Sequence, residues 1–147
     1  MSQKLKRDEI EKKLITLRIV KKNLSKLNTA CAYGYTREVT NLISQNYQID
    51  GEDENCVTPL IVSCMLGYTR LPELLIEKGA DVNKPNKYGV RPLHMAACYG
   101  HVSTVQLLLQ YGADKYAEVN EFDGATPIDF TVHKYSPNYD KIRKLLA

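Results

Sequence analysis

Tryptophan is absent from the 147-residue sequence and phenylalanine occurs only 2 times, so 10 tyrosines supply most of the aromatic surface. No stretch approaches the roughly 18 consecutive apolar residues that a membrane-spanning helix needs. The first twenty positions carry charge throughout and lack the apolar stretch and cleavage site of a secretory signal. We therefore expect a protein of the cytoplasm or the nucleus.

Cysteine is also scarce, and its spacing does not indicate a metal site. The four cysteines, Cys31, Cys56, Cys64 and Cys98, form no CxxC pair and have no histidine at ligand spacing. Gly-rich phosphate loops, metalloprotease helices, nucleophile elbows and calcium loops are missing as well. The sequence thus predicts no catalytic residues, no metal and no cofactor. An enzymatic alternative depends on Cys98 or His133 alone.

The basic charge is concentrated in the N-terminal segment. Residues 1–27 hold nine Lys or Arg against three Asp or Glu, whereas the remainder is slightly acidic. With 44% hydrophobic and 25% charged residues, the whole chain has the composition of an ordinary globular protein. We expect no nucleic-acid binding by the folded part.

A repeat of about 33 residues extends along the rest of the chain. The motif Thr58-Pro59-Leu60 recurs as Arg91-Pro92-Leu93 and again as Thr126-Pro127-Ile128. The glycines at 34, 67 and 100 share the 33-residue spacing, as do the Gly-Ala-Asp motifs at 79–81 and 112–114. Two sets of markers with one period predict stacked structural units.

Each unit is predicted to contain two helices. Proline directly after threonine is typical of the first turn of a helix, where its missing N–H group costs nothing. In the third unit Gly100 ends the first helix, and apolar residues from Val102 to Leu109 predict a second, amphipathic helix that Gly112 closes. The unit is therefore a helix, a turn, a second helix and a hairpin loop.

These motifs resemble the ankyrin repeat. The clearest segment reads NKYGVRPLHMAA over residues 86–97 and LLLQYGAD over residues 107–114. The resemblance covers about residues 28–147 and implies an all-α repeat fold, an ankyrin-repeat solenoid whose helix-turn-helix units are joined by β-hairpin loops. About four units are expected, near 28–52, 53–85, 86–120 and 121–147. The fourth departs most from the pattern and is interpreted as a C-terminal cap with one face toward water.

The register of the repeat also predicts the places of cysteine and histidine. Cys31 and Cys64 occupy a small-residue position and are expected in the core. Cys98, one position later, is expected on the inner surface as the most reactive thiol. The resemblance implies that the His94 imidazole bonds to neighbouring backbone and organises a loop, and that His101 is structural.

The resemblance further implies protein binding on the concave face that hairpin tips and first helices form. Contact positions lie around the glycine before the Thr-Pro-Leu step and just before the inter-helix glycine. Carried over by register, the partner-binding residues are Tyr33, Glu54, Asn55, Met65, Leu66, Lys87, Tyr88, Tyr99, Phe122, Asp123 and Lys134. The expected partner is an intracellular protein, for which this chain acts as adaptor, inhibitor or assembly factor.

Three of these residues, Tyr33, Leu66 and Tyr99, recur at 33-residue spacing and are called the concave row below. One interpretation is an interface, because large side chains such as tyrosine dominate many protein contacts. The other is that these side chains pack against one another and shield the helix ends. The sequence leaves both open.

The N-terminal segment, residues 1–27, has a separate pattern. Ile10, Leu14, Leu17, Leu24 and Leu27 follow helical spacing and predict an amphipathic helix. Three roles are open: a cap over the first repeat, self-association, or binding to an anionic membrane, calmodulin or nucleic acid. The last gives an alternative function, an electrostatic tether that presents cargo on the repeats. We expect a monomer.

Overall fold

The computed structural model describes residues 26–51, 56–131 and 137–147. Within them the chain forms seven α-helices: α1 (Lys26–Ala32), α2 (Thr36–Ser44), α3 (Pro59–Met65), α4 (Arg70–Glu77), α5 (Pro92–Cys98), α6 (Val102–Gln110) and α7 (Pro137–Leu146). Two 3₁₀ helices, Asn120–Phe122 and Pro127–Phe130, lie between α6 and α7. The predicted all-α repeat fold is confirmed, whereas the predicted N-terminal helix lies outside the described residues.

Short motifs set the helix boundaries, as the sequence predicts. Thr58 caps α3, because its side-chain oxygen accepts a hydrogen bond from Ile61 N–H at 3.3 Å, and Pro59 occupies the first turn. Pro92 begins α5 at the equivalent position. Gly100, with a φ of 74°, then turns the chain into α6 in a conformation that favours glycine.

The first helices of the units form one layer. α1 packs against α3, α3 against α5, and α5 against the 3₁₀ helix Pro127–Phe130, while α2, α4 and α6 pack against the first helix of their own units. Cys31 and Cys64 lie fully buried in this layer, so their predicted place in the core is confirmed. Burial raises the pKa of the Cys31 thiol to about 12, which leaves it inert at neutral pH.

The first unit is more polar than the units that follow it. One position of the second helix is buried as Leu71 and Thr104, but in the first unit it is the exposed Glu38. A second position changes from the half-buried Leu74 to the exposed Asn41. At these two positions α2 is therefore exposed where α4 is buried or half-buried.

The C-terminal end of the stack is polar as well. α7 buries Tyr139 and Ile142 and exposes Asp140 and Lys141. Any amphipathic surface helix divides its faces in this way, and the role of the fourth unit as a cap stays a prediction.

Three details differ from the sequence-based expectations. The described loops contain one isolated antiparallel bridge, Val119 with Ala125, and no strand, so the β-hairpin loops are not confirmed. The fourth unit opens with the 3₁₀ helix Pro127–Phe130 of 4 residues. Cys98 is only 3% exposed, because α3, α6 and that 3₁₀ helix enclose α5; its expected place on the inner surface was wrong.

Candidate functional site

The residues that follow the inter-helix glycines of the second and third units reach back to the preceding unit. The hydroxyl of Tyr68 donates a hydrogen bond to Ala32 O at 3.3 Å, across 36 residues. His101 Nε2 lies 3.0 Å from Met65 O, also across 36 residues. Each contact satisfies a carbonyl at the end of a first helix, where the helix itself supplies no partner.

The fourth unit continues this pattern with a different spacing. The Tyr139 hydroxyl donates to Cys98 O at 2.7 Å, across 41 residues. Burial raises the pKa of the Tyr139 hydroxyl, which keeps it a donor. The contacts made by Tyr68, His101 and Tyr139 are called the turn ladder below.

The inter-helix glycines lie directly under the rings of the turn ladder. A Cβ atom at these glycines would meet the ring of the next unit. The nearest ring atoms would lie at 2.9 Å, 2.5 Å and 3.1 Å for the pairs Gly34 with Tyr68, Gly67 with His101, and Gly100 with Tyr139. By contrast, no described atom lies within 4 Å of such a Cβ at Gly112. The inter-helix glycines are therefore required by space as well as by backbone conformation.

A second set of hydrogen bonds, the loop ladder, joins the units on their loop side. The Asp50 carboxylate accepts from Asp81 N–H at 3.1 Å. Asn83, 33 residues after Asp50, accepts from Asp114 N–H at 2.8 Å and donates to Gly112 O at 3.2 Å. Side chains of one unit thus hold the backbone of the next.

His94 connects its own helix to the following loop. Its Nδ1 accepts from Arg91 N–H at 3.1 Å, so Nε2 carries the proton and donates to Ala117 O at 2.9 Å. Burial lowers the pKa of His94 to about 4, because the charged ring would be poorly solvated. The predicted role of His94 in organising the loop is confirmed.

Large apolar side chains remain exposed at a few described positions. They are Tyr33 (63%), Tyr35 (60%), Tyr47 (42%), Leu66 (37%), Tyr111 (43%) and Tyr116 (68%). The rings of Tyr33 and Tyr35 stack with centroids 5.6 Å apart, and those of Tyr99 and His101 stack at 6.3 Å. The first pair is exposed and the second is half-buried.

The repeats described above also match a known family. A family model for ankyrin repeats, in three copies, matches residues 27–144. The chain belongs to the ankyrin-repeat family. A comparison with curated proteins found no match. Ankyrin repeats generally act as protein–protein interaction modules, and the family is typically non-enzymatic.

The predicted contact positions of the ankyrin repeats differ in exposure. Within the concave row, Tyr33 and Leu66 are exposed, whereas Tyr99 is half-buried beside His101. Met65 is also half-buried. The row therefore offers its largest accessible area in the first two repeats.

The remaining predicted positions lie toward the loops. Lys87 is exposed, with its Nζ 5.0 Å from the centroid of the half-buried Tyr88 ring, and Asp123 is exposed. Glu54, Asn55, His133 and Lys134 lie outside the described residues.

Phe122 does not belong on the contact surface. Its side chain is 4% exposed and packs edge-on against Phe130, with ring centroids 5.6 Å apart. The 3₁₀ helix Asn120–Phe122 places this ring in the core, in the unit whose loop is longer than those of the other repeats. Its assignment as a contact residue was wrong for this reason.

Tyr35 precedes Tyr68 and His101 at the same 33-residue spacing and was not among the residues selected from the sequence. Its hydroxyl has no hydrogen-bond partner among the residues that the structure describes.

The described part of the chain was searched for membrane-spanning helices and for clusters of metal-binding side chains. None of its helices is long and apolar enough to span a membrane. No group of three or more His, Cys, Asp or Glu side chains in residues 26–51, 56–131 and 137–147 is arranged to hold a metal.

Proposed function

We propose that this ankyrin-repeat protein is a non-enzymatic module that binds an intracellular partner protein, as an adaptor, inhibitor or assembly factor. The site is the concave row, Tyr33, Leu66 and Tyr99, with Lys87 and Asp123 at its polar rim. Met65 and Tyr88 line it, and Glu54, Asn55 and Lys134 extend it along the loops. The proposal places the site in an ankyrin domain of residues 28–147, in a monomer of the cytoplasm or nucleus.

The observation that carries this proposal is the exposure of Tyr33 and Leu66, at 63% and 37%. Both stand at the end of a first helix, one repeat apart, whereas the other leucines in the described part of the chain are mostly buried. Tyrosine anchors at interfaces often lose about 2 kcal/mol of binding free energy on truncation. A rim of mixed charge would set orientation and association rate more than affinity.

Affinity capture from a lysate of the source cells tests the site. The wild-type protein is compared with Tyr33→Ala/Leu66→Ala, and with a matched control, Tyr47→Ala/Tyr111→Ala, which removes two exposed side chains outside the row. Circular dichroism checks that all three are folded. A defined protein that is lost only with the row variant supports the proposal. Equal capture by all three would place the site elsewhere.

The second candidate is the electrostatic tether, which the excess of basic residues in the segment 1–27 favours. Salt separates the two functions. Binding through exposed basic charge weakens steeply as ionic strength rises, because counterions screen it. Binding through the concave row should change little. Capture that disappears at high salt and survives the row substitutions would support the tether.

A further inference from the structure

Arg91 occupies a position where two other units of the chain have threonine. Thr58 and Thr126 directly precede the proline of their units, as Arg91 does in the third unit. The Thr58 hydroxyl caps α3, but an arginine side chain carries only hydrogen-bond donors, and Arg91 makes no side-chain capping bond to α5. Loss of a side-chain cap generally costs stability. The third unit therefore lacks a stabilising contact at this position.

The charge of Arg91 is not neutralised by the described part of the chain. Its side chain is half-buried and forms no ion pair with a described carboxylate, whereas Arg143 pairs with Asp140. Its Nε atom is enclosed and has no hydrogen-bond partner among the described residues, while Nη1 and Nη2 are not enclosed in this way. A buried donor without a partner is rare and destabilises the fold. The open end of the guanidinium group can therefore meet an acceptor from outside the chain.

Two neighbouring side chains of the same loop also have donors without a described acceptor. Asn86 is 4% exposed, and its Oδ1 accepts from the N–H groups of Tyr88 and Val90 at 2.9 Å and 3.0 Å, but its Nδ2 has no partner in the described residues. Lys87 is exposed, and its Nζ lies 5.0 Å from the centroid of the Tyr88 ring. The loop therefore presents two cations and a buried N–H donor, and no described anion faces them.

We propose that Lys87 and Arg91, called the cation pair below, bind an acidic segment of the partner protein. Arginine suits a carboxylate because its planar group can donate two parallel hydrogen bonds, and lysine adds a second point charge. The inference rests on the proposed function, since Lys87 belongs to the rim of the concave row, and it specifies the chemistry of the partner.

The surroundings of the cation pair favour a polypeptide over a polyanion. The same unit carries Tyr99 of the concave row, an aromatic surface that suits apolar side chains. The chain beyond residue 27 is slightly acidic, which disfavours a nucleic acid. A segment with apolar residues for the row and carboxylates for the cation pair fits both features.

Acidic residues of this chain are the competing occupants. Asp123 in the following loop is exposed and forms no ion pair with Lys87 or Arg91. Residues 52–54, with the sequence Glu-Asp-Glu, lie outside the described residues, about one repeat before the loop. An ion pair within the chain would make Arg91 stabilising. A carboxylate that arrives with the partner leaves the free chain with a missing cap and an enclosed donor, a cost that is typical of functional sites.

The stability of the free chain separates these cases. Arg91→Thr restores the threonine cap and removes the enclosed Nε donor, so we expect the Tm of the full chain to rise by about 2–4 °C. Arg37→Thr, which removes an exposed arginine of α2, is the matched control and should not raise the Tm. An unchanged or lower Tm for Arg91→Thr would overturn the proposal, because Arg91 would then have a stabilising partner within the chain.

Random peptides displayed on phage and selected on the full chain test the binding chemistry. We expect the selected peptides to combine Asp or Glu with apolar residues. The tightest of them, made as a soluble peptide, should bind Lys87→Ala/Arg91→Thr at least about tenfold more weakly, because charge-assisted hydrogen bonds are lost. The charge-matched control Arg37→Thr/Lys141→Ala removes two exposed cations from α2 and α7 and should bind like the wild type.

Changes in the peptide complete the test. Replacement of its Asp and Glu by Asn and Gln should cause the same loss of affinity, and the cation-pair substitutions should then weaken binding no further. Selection of no peptide, or of peptides without acidic residues, would overturn the inference. Equal binding of the acidic peptide by the wild type and by the cation-pair variant would overturn it as well.

The row variant Tyr33→Ala/Leu66→Ala distinguishes failure of this inference from failure of the proposed function. A peptide whose binding depends on the row and not on the cation pair would overturn the inference and leave the concave row as the site. A peptide whose binding depends on the cation pair and not on the row would support the inference and overturn the concave row.

Discussion

Tyr35 and Tyr139 occupy the same ladder position at opposite ends of one stack, and their surroundings differ. Tyr139 is 7% exposed, donates a hydrogen bond to Cys98 O at 2.7 Å and covers Gly100. Tyr35 is 60% exposed. The difference teaches that the role of a repeat position depends on its neighbour. Where a preceding unit exists the side chain stabilises the stack, and where none is described the same side chain is surface.

The loop ladder runs in the opposite direction along the chain. Asp50 and Asn83 reach forward to the next unit, and the third residue of this series, Tyr116, is 68% exposed. Among the described residues, Tyr35 is the exposed position of the turn ladder and Tyr116 is that of the loop ladder. The two ladders therefore connect the units in opposite directions along the chain.

Substitution of Gly67, which lies under the ring of His101, should produce the largest loss of stability. Gly67→Ala adds a Cβ that would lie 2.5 Å from the His101 ring, at a φ of 75°. Backbone strain and overpacking together should reduce the free energy of unfolding by about 3 kcal/mol. Urea unfolding followed by circular dichroism measures it.

The matched control for this experiment is Gly112→Ala, whose φ of 88° is similar but whose Cβ would meet no described atom within 4 Å. Only the backbone term applies there, at about 1 kcal/mol. Losses of equal size would show that the ring of the next unit does not enclose Gly67.

Acidification should reduce the free energy of unfolding through the buried side chain of His94. The pKa of this side chain falls from 6.5 to about 4 on burial, so between these values the unfolded chain binds a proton that the folded chain does not. Stability is unaffected above pH 6.5 and is lost as the pH falls toward 4, by up to about 3 kcal/mol.

Urea unfolding of wild type and His94→Leu across this pH range isolates the histidine from the carboxylates that titrate nearby. The variant should be less stable at neutral pH, because it loses both backbone contacts, and should show a smaller fall on acidification. If the stability of the wild type and of His94→Leu fell equally with pH, the assignment of this effect to His94 would be contradicted.

Substitutions in the loop ladder should reduce the free energy of unfolding by a smaller amount. Asn83→Ala removes two hydrogen bonds to the next unit, at 2.8 Å and 3.2 Å, and should cost about 1.5 kcal/mol of unfolding free energy. Tyr116→Ala changes the exposed residue at the equivalent position and should cost less than about 0.5 kcal/mol. Thermal unfolding of both variants in the same buffer measures these losses. A larger loss of stability from Tyr116→Ala than from Asn83→Ala would contradict the role assigned to the loop ladder.

Much of the fold could be predicted from the sequence, because its determinants are local. The Thr58-Pro59 step begins α3, the glycines end the first helices, and the small Cys31 and Cys64 fit between helices that pack closely. Each of these features depends on residues a few positions apart, which a repeat makes visible.

The ladders could not be predicted, since they join residues about 30 to 40 positions apart through the geometry of stacking. Nothing local to Tyr68 indicates that its hydroxyl reaches Ala32 O. For the same reason the burial of Cys98 was missed, and Phe122 was assigned to the surface in the unit whose loop departs from the period. The concave row was found because it follows the period, and its binding role stays a prediction.

The most direct test of the central claim is the unfolding free energy of two matched variants, Tyr139→Phe and Tyr35→Phe, each of which removes one hydroxyl. We predict a loss of about 1 kcal/mol for Tyr139→Phe, because a buried hydrogen bond disappears, and a change of less than about 0.3 kcal/mol for Tyr35→Phe. Equal losses in the two variants would contradict the account, because the Tyr35 hydroxyl would then already have a structural partner.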